Sequence, residues 1–536
     1  MALGIAAVAL GVVVAGRPAQ GAPGPAAPAA DSSAATGSPG PSAAGTSDRP
    51  ISIATPPPST PPSTPPSPVP EVAIVPIVGY WSVDRSITTT ELRLALGGHD
   101  PAFSRVLVAA PDLAAVADAL GVRPGPGVGQ VDAGAVIAAV RGHANVLGLV
   151  QPEAVQPSIR ALGVDGRVLF GDARVRTIAD WALTIRAPRT TAGVATVDFD
   201  PAATWTVVAA GDVMNDRAVY RQAVLLHRGP DFPWQGGTAR IVRRSCCSAG
   251  LTTVVAARTG NAGAVAELFR DADLALVNHE GPTPNDFTYH PTGLTFSFDP
   301  ALERGIQWAG VDVVSLANNH IRNAGSLGVL QTLANVRAAG LTPVGAGASI
   351  AAANQPVVST IDGVKVAILA FDAINLAGNA ASPTRPGAAP LDLARARADI
   401  RAARAAGAQV VIVVPHWGVE YTSTATALQR ADAAALAAAG ADVILGSHPH
   451  WAGALEAIGN SVVVYSMGDF VFDLPRSEQT DEGLIVELTF VGAHLAQIDI
   501  HPTIELDRSQ PNLLDPTDGQ VILDRVRAAS RTFLHW

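Results

Sequence analysis

Five apolar runs between residues 205 and 450 end on residues that bind metals or move protons. WTVVAA leads into Gly211-Asp212, and LALVN into His279-Glu280-Gly281-Pro282. VDVVSLA leads into Asn318-Asn319-His320, VVIVVP into His416-Trp417-Gly418, and ADVILG into Ser447-His448-Pro449-His450. A single Asp or Asn after a strand is commonly the cap of the next helix. A lone His there is more often structural than a ligand. Five such endings are hard to explain by capping, and capping gives no reason for the two imidazoles of His448 and His450. Carboxylate, amide and imidazole donors without thiolate suit Zn, Mn, Fe or similar divalent ions over soft metals. Two carboxylates and neutral imidazoles would leave two such ions with net positive charge. That centre would attract an anionic group and acidify water to a hydroxide nucleophile. Sharing so few ligands requires a bridging carboxylate, for which Glu280 is the candidate. His320, beside the candidate ligand Asn319, is the candidate general acid.

Other residues near these endings carry two readings each. Trp417, Glu420 and Tyr421 either line a substrate groove and orient His416, or pack and solvate the wall of the site. Arg217 either pairs with a phosphate or carboxylate of the substrate or is a solvated surface cation. Tyr220 to Asn261 shows no clear periodicity and reads as a surface loop, in which Arg243 and Arg244 are available to an anion. Thr422 to Thr426 need no role beyond capping a helix.

The elements that must position these residues follow from hydropathy patterning. The apolar runs read as strands, and AGAVAELFRDA, SLGVLQTLANVRAAG, LARARADIRAARAAG and ALQRADAAALAAAG between them read as helices. PVVSTIDGVKVAILAF reads as a hairpin turning at Asp362-Gly363. In open α/β sheets, sites form beyond the carboxyl ends of the strands, which is where the candidate ligands fall. The expected fold class is α/β. It is a layered α/β/α arrangement, a β-sandwich core flanked by helices, over residues 203–505, with a smaller N-terminal α/β domain over 71–190. In its order of elements, with ITTTELRLAL and NVLGLVQPEAV followed by IRALGVDG, the smaller domain resembles part of a periplasmic solute-binding domain; an accessory packing domain is the alternative. Beyond 505 the chain reads as a tail, 506–536, ending in a docking helix.

At 536 residues the chain exceeds one typical domain. Its 48% hydrophobic content can build large cores, which excludes a wholly disordered chain. Lys and Arg number 36 against 46 Asp and Glu, a net charge of −10, so nucleic acid is not an expected partner. Two adjacent cysteines, Cys246 and Cys247, exclude a disulfide framework and a Cys-rich zinc site. ALGIAAVALGVVVA, within residues 1–16, fits the apolar part of an export signal or an anchor. Residues 17–70, nearly all Pro, Ala, Ser, Thr and Gly, form no core and read as a solvated spacer. The expected location is outside the membrane, secreted or held at the cell surface.

Taken in order, AAGDVMNDR, NHEGP, VSLANNH, VPHWGVEY, GSHPH and VVYSMGDFVFD resemble the CapA family of capsule-synthesis, poly-γ-glutamate-associated proteins. That family resembles the calcineurin-like metallophosphoesterases in fold, and the resemblance covers roughly residues 205 to 500. It implies metal ligands at Asp212, Glu280, Asn319, His416, His448 and His450, with His320 as the acid. One ion would sit near Asp212, Glu280 and His450, the other near Glu280, Asn319, His416 and His448. It further implies a cell-envelope role in making, exporting or anchoring a capsule polymer. The chemistry would be hydrolysis or transfer at a phosphoester or amide, and the partners an anionic polymer or phosphoester substrate and the membrane or wall capsule machinery. A scaffold that holds an anionic polymer without turnover is the alternative. Three positions depart from the pattern. Met214 stands where metallophosphoesterases place a His, leaving the first ion short of a ligand. His279 stands where an apolar residue is usual. Asp469 stands where Asn is more frequent, adding a negative charge that would oppose a polyanion.

Overall fold

A computed structural model describes residues 69–189, 199–248 and 251–536, together with the backbone of Val12–Ala15. The rest of the expected export segment and nearly all of the spacer lie outside the described residues. Pro70–Trp536 belongs to one compact unit. Among the described residues no helix is long and apolar enough to cross a membrane.

The N-terminal part is an α/β lobe. Its five-stranded sheet runs in the order Val128–Val131, Arg105–Ala109, Val146–Val150, Val75–Gly79, Ile159–Ala161. Thr88 starts the helix Thr89–Leu96 through a reciprocal capping box with Glu91. The lobe meets the larger body through Arg160, whose guanidinium lies 2.6 Å from Asp499 and donates to the Tyr80 carbonyl.

The larger body holds two large sheets, one of ten strands and one of seven, and a short pair, Ala346–Gly347 with Gly387–Ala388. In the first, the strand Thr204–Val213 is flanked by Leu274–His279 in parallel and Glu482–Val491 in antiparallel pairing. In the second, Val364–Asp372, Val410–His416, Val443–Leu445 and Ser461–Val464 lie side by side in parallel. The backbone of Val12–Ala15 pairs with Val357–Thr360 at one edge.

Period-two alternation decides the layers. Val207, Ala209, Leu274 and Leu276 share one buried core with Val366, Ile368, Val410 and Ile412, so the two sheets face each other. The alternate residues Val208 and Ala210 pack on Phe269, Leu333 and Val336 of helices Ala264–Asp271 and Gly325–Ala338. Ala367, Leu369 and Val413 pack on Ile400 and Leu436 of helices Leu393–Ala405 and Ala427–Ala439. Both faces of these strands are covered, which is why they read as unbroken apolar runs. The expected layered α/β body, a sandwich of sheets flanked by helices, is observed. So is the hairpin at Asp362-Gly363: both residues have positive φ (46° and 79°), as its two-residue turn requires.

Two segments differ from expectation. Much of the stretch read as a loop is a β-ribbon, Thr238–Ser248 paired with Leu251–Gly260. Three register shifts interrupt its pairing, and each breaks the alternation that would have marked it as strand. Within it, Cys246 is disulfide-bonded. The stretch read as a tail adds the strand Gln510–Leu514, and its helix Pro516–Ser530 sends Ile522, Leu523 and Val526 into the inter-sheet core.

Candidate metal centre

The site begins with a bulge. Pairing of Thr204–Val213 with Leu274–His279 skips Gly211, so Asp212 stands opposite Asn278 and Val213 opposite His279. A Cβ on Gly211 would meet the Gly468 carbonyl oxygen at 1.8 Å; that carbonyl accepts from the Asp212 amide at 3.1 Å. Glycine is therefore required there, and its absence of a side chain lets a third strand, Asp469–Val471, close against Asp212.

Asp212 is fully buried. It accepts from Asn278 Nδ2 at 2.8 Å and from the His448 amide at 3.3 Å. Glu280 follows the next strand, its amide held by the Val213 carbonyl at 2.8 Å. Neither carboxylate oxygen of Glu280 has a hydrogen-bond donor in the protein. Burial, and then the Asp212 charge, push its carboxyl well above the usual range. His416 Nε2 and His320 Nε2 lie 3.7 and 3.8 Å from Glu280 Oε1. Asn319 Oδ1 lies 2.9 Å from His416 Nε2. His448 and His450 both have positive φ, 97° and 59°, a cost consistent with a functional constraint. Burial, then neighbouring imidazoles, hold His416 well below the ordinary value and push His448 down to about 3. At His450 burial also acts to lower the pKa, but the Asp469 carboxylate at 2.7 Å overcomes it and holds the imidazole up at about 10.

The six candidate ligands thus come together. Ligand atoms of Glu280, His416 and His448 lie within 4.8 Å of one another, and so do those of Asp212, His450 and Asp469. The residues fit a bound cation on an observation independent of motif. Both Glu280 oxygens, His448 Nδ1 and Asp469 Oδ2 are buried without a hydrogen-bond partner. Four such atoms in one pocket are costly unless positive charge meets them.

His320 lies at the rim, its ring centroid 4.1 Å from that of Phe296. Asn323 Oδ1 accepts from the Phe296 amide, so it also accepts from His320 Nδ1–H at 3.0 Å. That leaves Nε2 as the free nitrogen on the Glu280 side. Burial holds the imidazole down at about 4.

The four candidate substrate contacts separate. Tyr421 stacks beside His450, ring centroids 5.9 Å apart, and the Arg476 guanidinium lies 4.0 Å from its ring centroid. Glu420 is exposed. Trp417 is buried in the helix-facing core and donates to the Tyr465 carbonyl at 3.0 Å. The Arg217 guanidinium lies 4.9 Å from the Phe296 ring centroid and donates to the carbonyls of Asp473 (3.0 Å) and Gly293. It pins the segment that carries Phe296 and, through it, His320. Arg217→Ala is expected to cost about 2 kcal/mol in denaturant unfolding. It is also expected to expose residues 284–298 to limited proteolysis, leaving the salt dependence of anion binding unchanged.

Sequence reasoning missed Asn278, Asn323 and Arg476; it had singled out Asp469, though as a charge opposing a polyanion and not as a metal donor. Asn278 was the one visible signal, a polar residue closing LALVN. The others depend on which strands and loops meet. The unusual His279 has a role outside the pocket. Its Nε2 lies 2.8 Å from Glu303 Oε1 and its Nδ1 3.0 Å from the Gly281 carbonyl, which locks the turn that presents Glu280. Met214 is buried among Phe296, Phe298 and Phe472, its sulfur accepting from the Asp216 amide at 3.3 Å.

Residues 206–474 match the family described as bacterial capsule synthesis protein PGA_cap, just over half of the chain. The capsule biosynthesis protein CapA of Bacillus anthracis is 32% identical over 185 residues, 34% of this chain and 45% of its own. The PGA biosynthesis protein CapA of Bacillus subtilis (strain 168) is 32% identical over 224 residues, 41% of this chain and 59% of its own. The chain therefore spans about half the length of these curated relatives. Among solved structures, the NAD nucleotidase of Haemophilus influenzae aligns with a TM-score of 0.32 at 14% identity, covering 61% of this chain and 56% of that one. On the family match, which takes in Asp212, Glu280, Asn319, His416, His448 and His450, the chain belongs to the bacterial capsule synthesis protein PGA_cap family.

Proposed function

We propose that this protein is a divalent-metal-dependent protein of the cell envelope that acts on an anionic polymer in capsule or poly-γ-glutamate synthesis, by hydrolysis or transfer at a phosphoester or amide. The observation that carries the reading is the pocket of buried, partnerless donor atoms on Glu280, His448 and Asp469. The names of the two Bacillus relatives support the polymer. The apolar opening segment supports the envelope location.

Asp212, Glu280, Asn319, His416, His448 and His450 would hold the ions. Divalent ions there would supply positive charge to an anionic group and acidify an attacking water. The chain's own residues do the remainder. Asn278 fixes the Asp212 carboxylate. Asn323 fixes His320 so that Nε2 is the atom at which a proton is taken up or returned. Arg476 and Tyr421 offer a cation and an aromatic face to a polyanion at the rim. One observation favours the alternative of a scaffold without turnover: in the present hydrogen-bonding His320 Nε2 is an acceptor, so it has no proton to give a leaving group.

The test is turnover of a model phosphodiester and shortening of poly-γ-glutamate by the full chain, with Mn or Zn added. Metal-dependent turnover that falls about a hundredfold or more in Asp212→Asn supports the enzyme. Polymer bound without turnover under any divalent ion supports the scaffold. A protein that takes up no ion sinks both.

A further inference from the structure

The two donor clusters are chemically unequal, and the inequality comes from Asp469. Its strand pairs in parallel with Thr204–Val213 and places Asp469 directly opposite Asp212. The Asp469 side chain is 2% exposed. One oxygen lies 2.7 Å from His450 Nδ1, while the other is buried with no donor. Asp212 Oδ2 lies 3.6 Å from the same His450 nitrogen. The sulfur of Met214, two residues beyond Asp212, is instead turned into an aromatic cluster. The Asp212 side therefore offers two carboxylates and one imidazole, while the Glu280 side offers one carboxylate and two imidazoles.

We propose that Asp469 is a ligand of the first ion, and that the oxygen-rich trio Asp212, Asp469 and His450 selects a harder ion of the manganese or magnesium class while Glu280, His416 and His448 select zinc. The inference rests on the reading of the pocket as a metal centre. Hard cations favour carboxylate oxygen, and imidazole suits zinc, so two adjacent sites on one chain sort a mixed supply. Asp469 also adds a second negative charge to the trio, and its buried oxygen without a donor is a site that a cation would compensate.

The competing role for Asp469 is to orient His450 through the hydrogen bond alone. Asp469→Asn keeps an acceptor for His450 and removes the charge; Asp469→His converts the trio to a nitrogen-rich set. The full chain is stripped with chelator, equilibrated with equal Mn and Zn, and assayed for bound metal by mass spectrometry, with Mn affinity followed by electron paramagnetic resonance. Wild type is expected to take up both metals. Asp469→Asn is expected to keep Zn and bind Mn about tenfold or more weakly. Asp469→His is expected to bind Zn at both sites. Thermal melting of each variant reports folding separately. Asp469→Asn with unchanged content and choice of metal overturns the proposal, as does a wild type that fills both sites with the same metal. A wild type that binds no ion overturns the metal-centre reading itself.

Discussion

Glu280→Gln is expected to lower divalent-metal affinity by about a hundredfold or more, and yet to raise the melting temperature of the metal-free protein. The opposite signs have one cause. Glu280 is completely buried, neither oxygen has a donor, and Asp212 and Asp469 add like charge. Burial first, and Asp212 next, push its folded-state pKa well above 4.5. A carboxyl so raised keeps a proton that the unfolded chain has released. Metal-free stability therefore falls as pH climbs from about 4.5 toward the folded value, and glutamine removes that loss. Bound ions reverse the ranking: at a thousandfold excess over its dissociation constant a ligand contributes about 4 kcal/mol. Melting curves at pH 8 should thus cross, wild type above the variant with Mn or Zn and below it with chelator. A variant less stable than wild type in chelator would show that Glu280 is satisfied without a cation, against the reading of the pocket.

Asp372→Asn is expected to stabilise the protein by up to about 5 kcal/mol at pH 8 and by almost nothing at pH 4. Asp372 ends the strand Val364–Asp372, directly beside His416 in the parallel pair. It is fully buried; one oxygen accepts from the Ile374 amide at 2.8 Å and the other has no donor. Burial pushes its carboxyl from 3.8 up to about 8. The folded state holds this proton while the unfolded chain loses it above about 4, so stability drains between those pH values. Asparagine keeps the acceptor for Ile374 and cannot ionise. Denaturant unfolding at the two pH values is the measurement. An equal effect at both would mean that the charge is already compensated in the fold.

Legibility in the sequence followed the range of the forces involved. The hairpin at Asp362-Gly363 was readable because a two-residue turn with positive φ is a local requirement. The strands flanking Asp212, Glu280 and His416 were readable because burial on both faces leaves unbroken apolar runs. The Thr238–Gly260 ribbon was not, because its register shifts erase the alternation that marks a strand. Arg217 read either as a cation for substrate or as a solvated surface residue. Its commitment to the Asp473 and Gly293 carbonyls depends on segments brought back from elsewhere in the chain. Asn323 was invisible for a related reason: an amide three residues past His320 acquires a role only once Phe296 arrives to fix its orientation.

What the sequence determined by itself was the inventory: oxygen and nitrogen donors, no thiolate at the strand ends, and their placement where parallel strands stop. Those properties follow from residue type and hydropathy period. Only the tertiary structure added Asp469 to the donors on the Asp212 side. Asp469 stands beside Asp212 because two strands far apart in the chain pair around a glycine bulge, and Met214 packs into an aromatic cluster assembled from distant segments. Pairing between distant strands sets distances of a few ångströms, and at that scale the identity of the neighbour, rather than the presence of the donor, determines which ion is held.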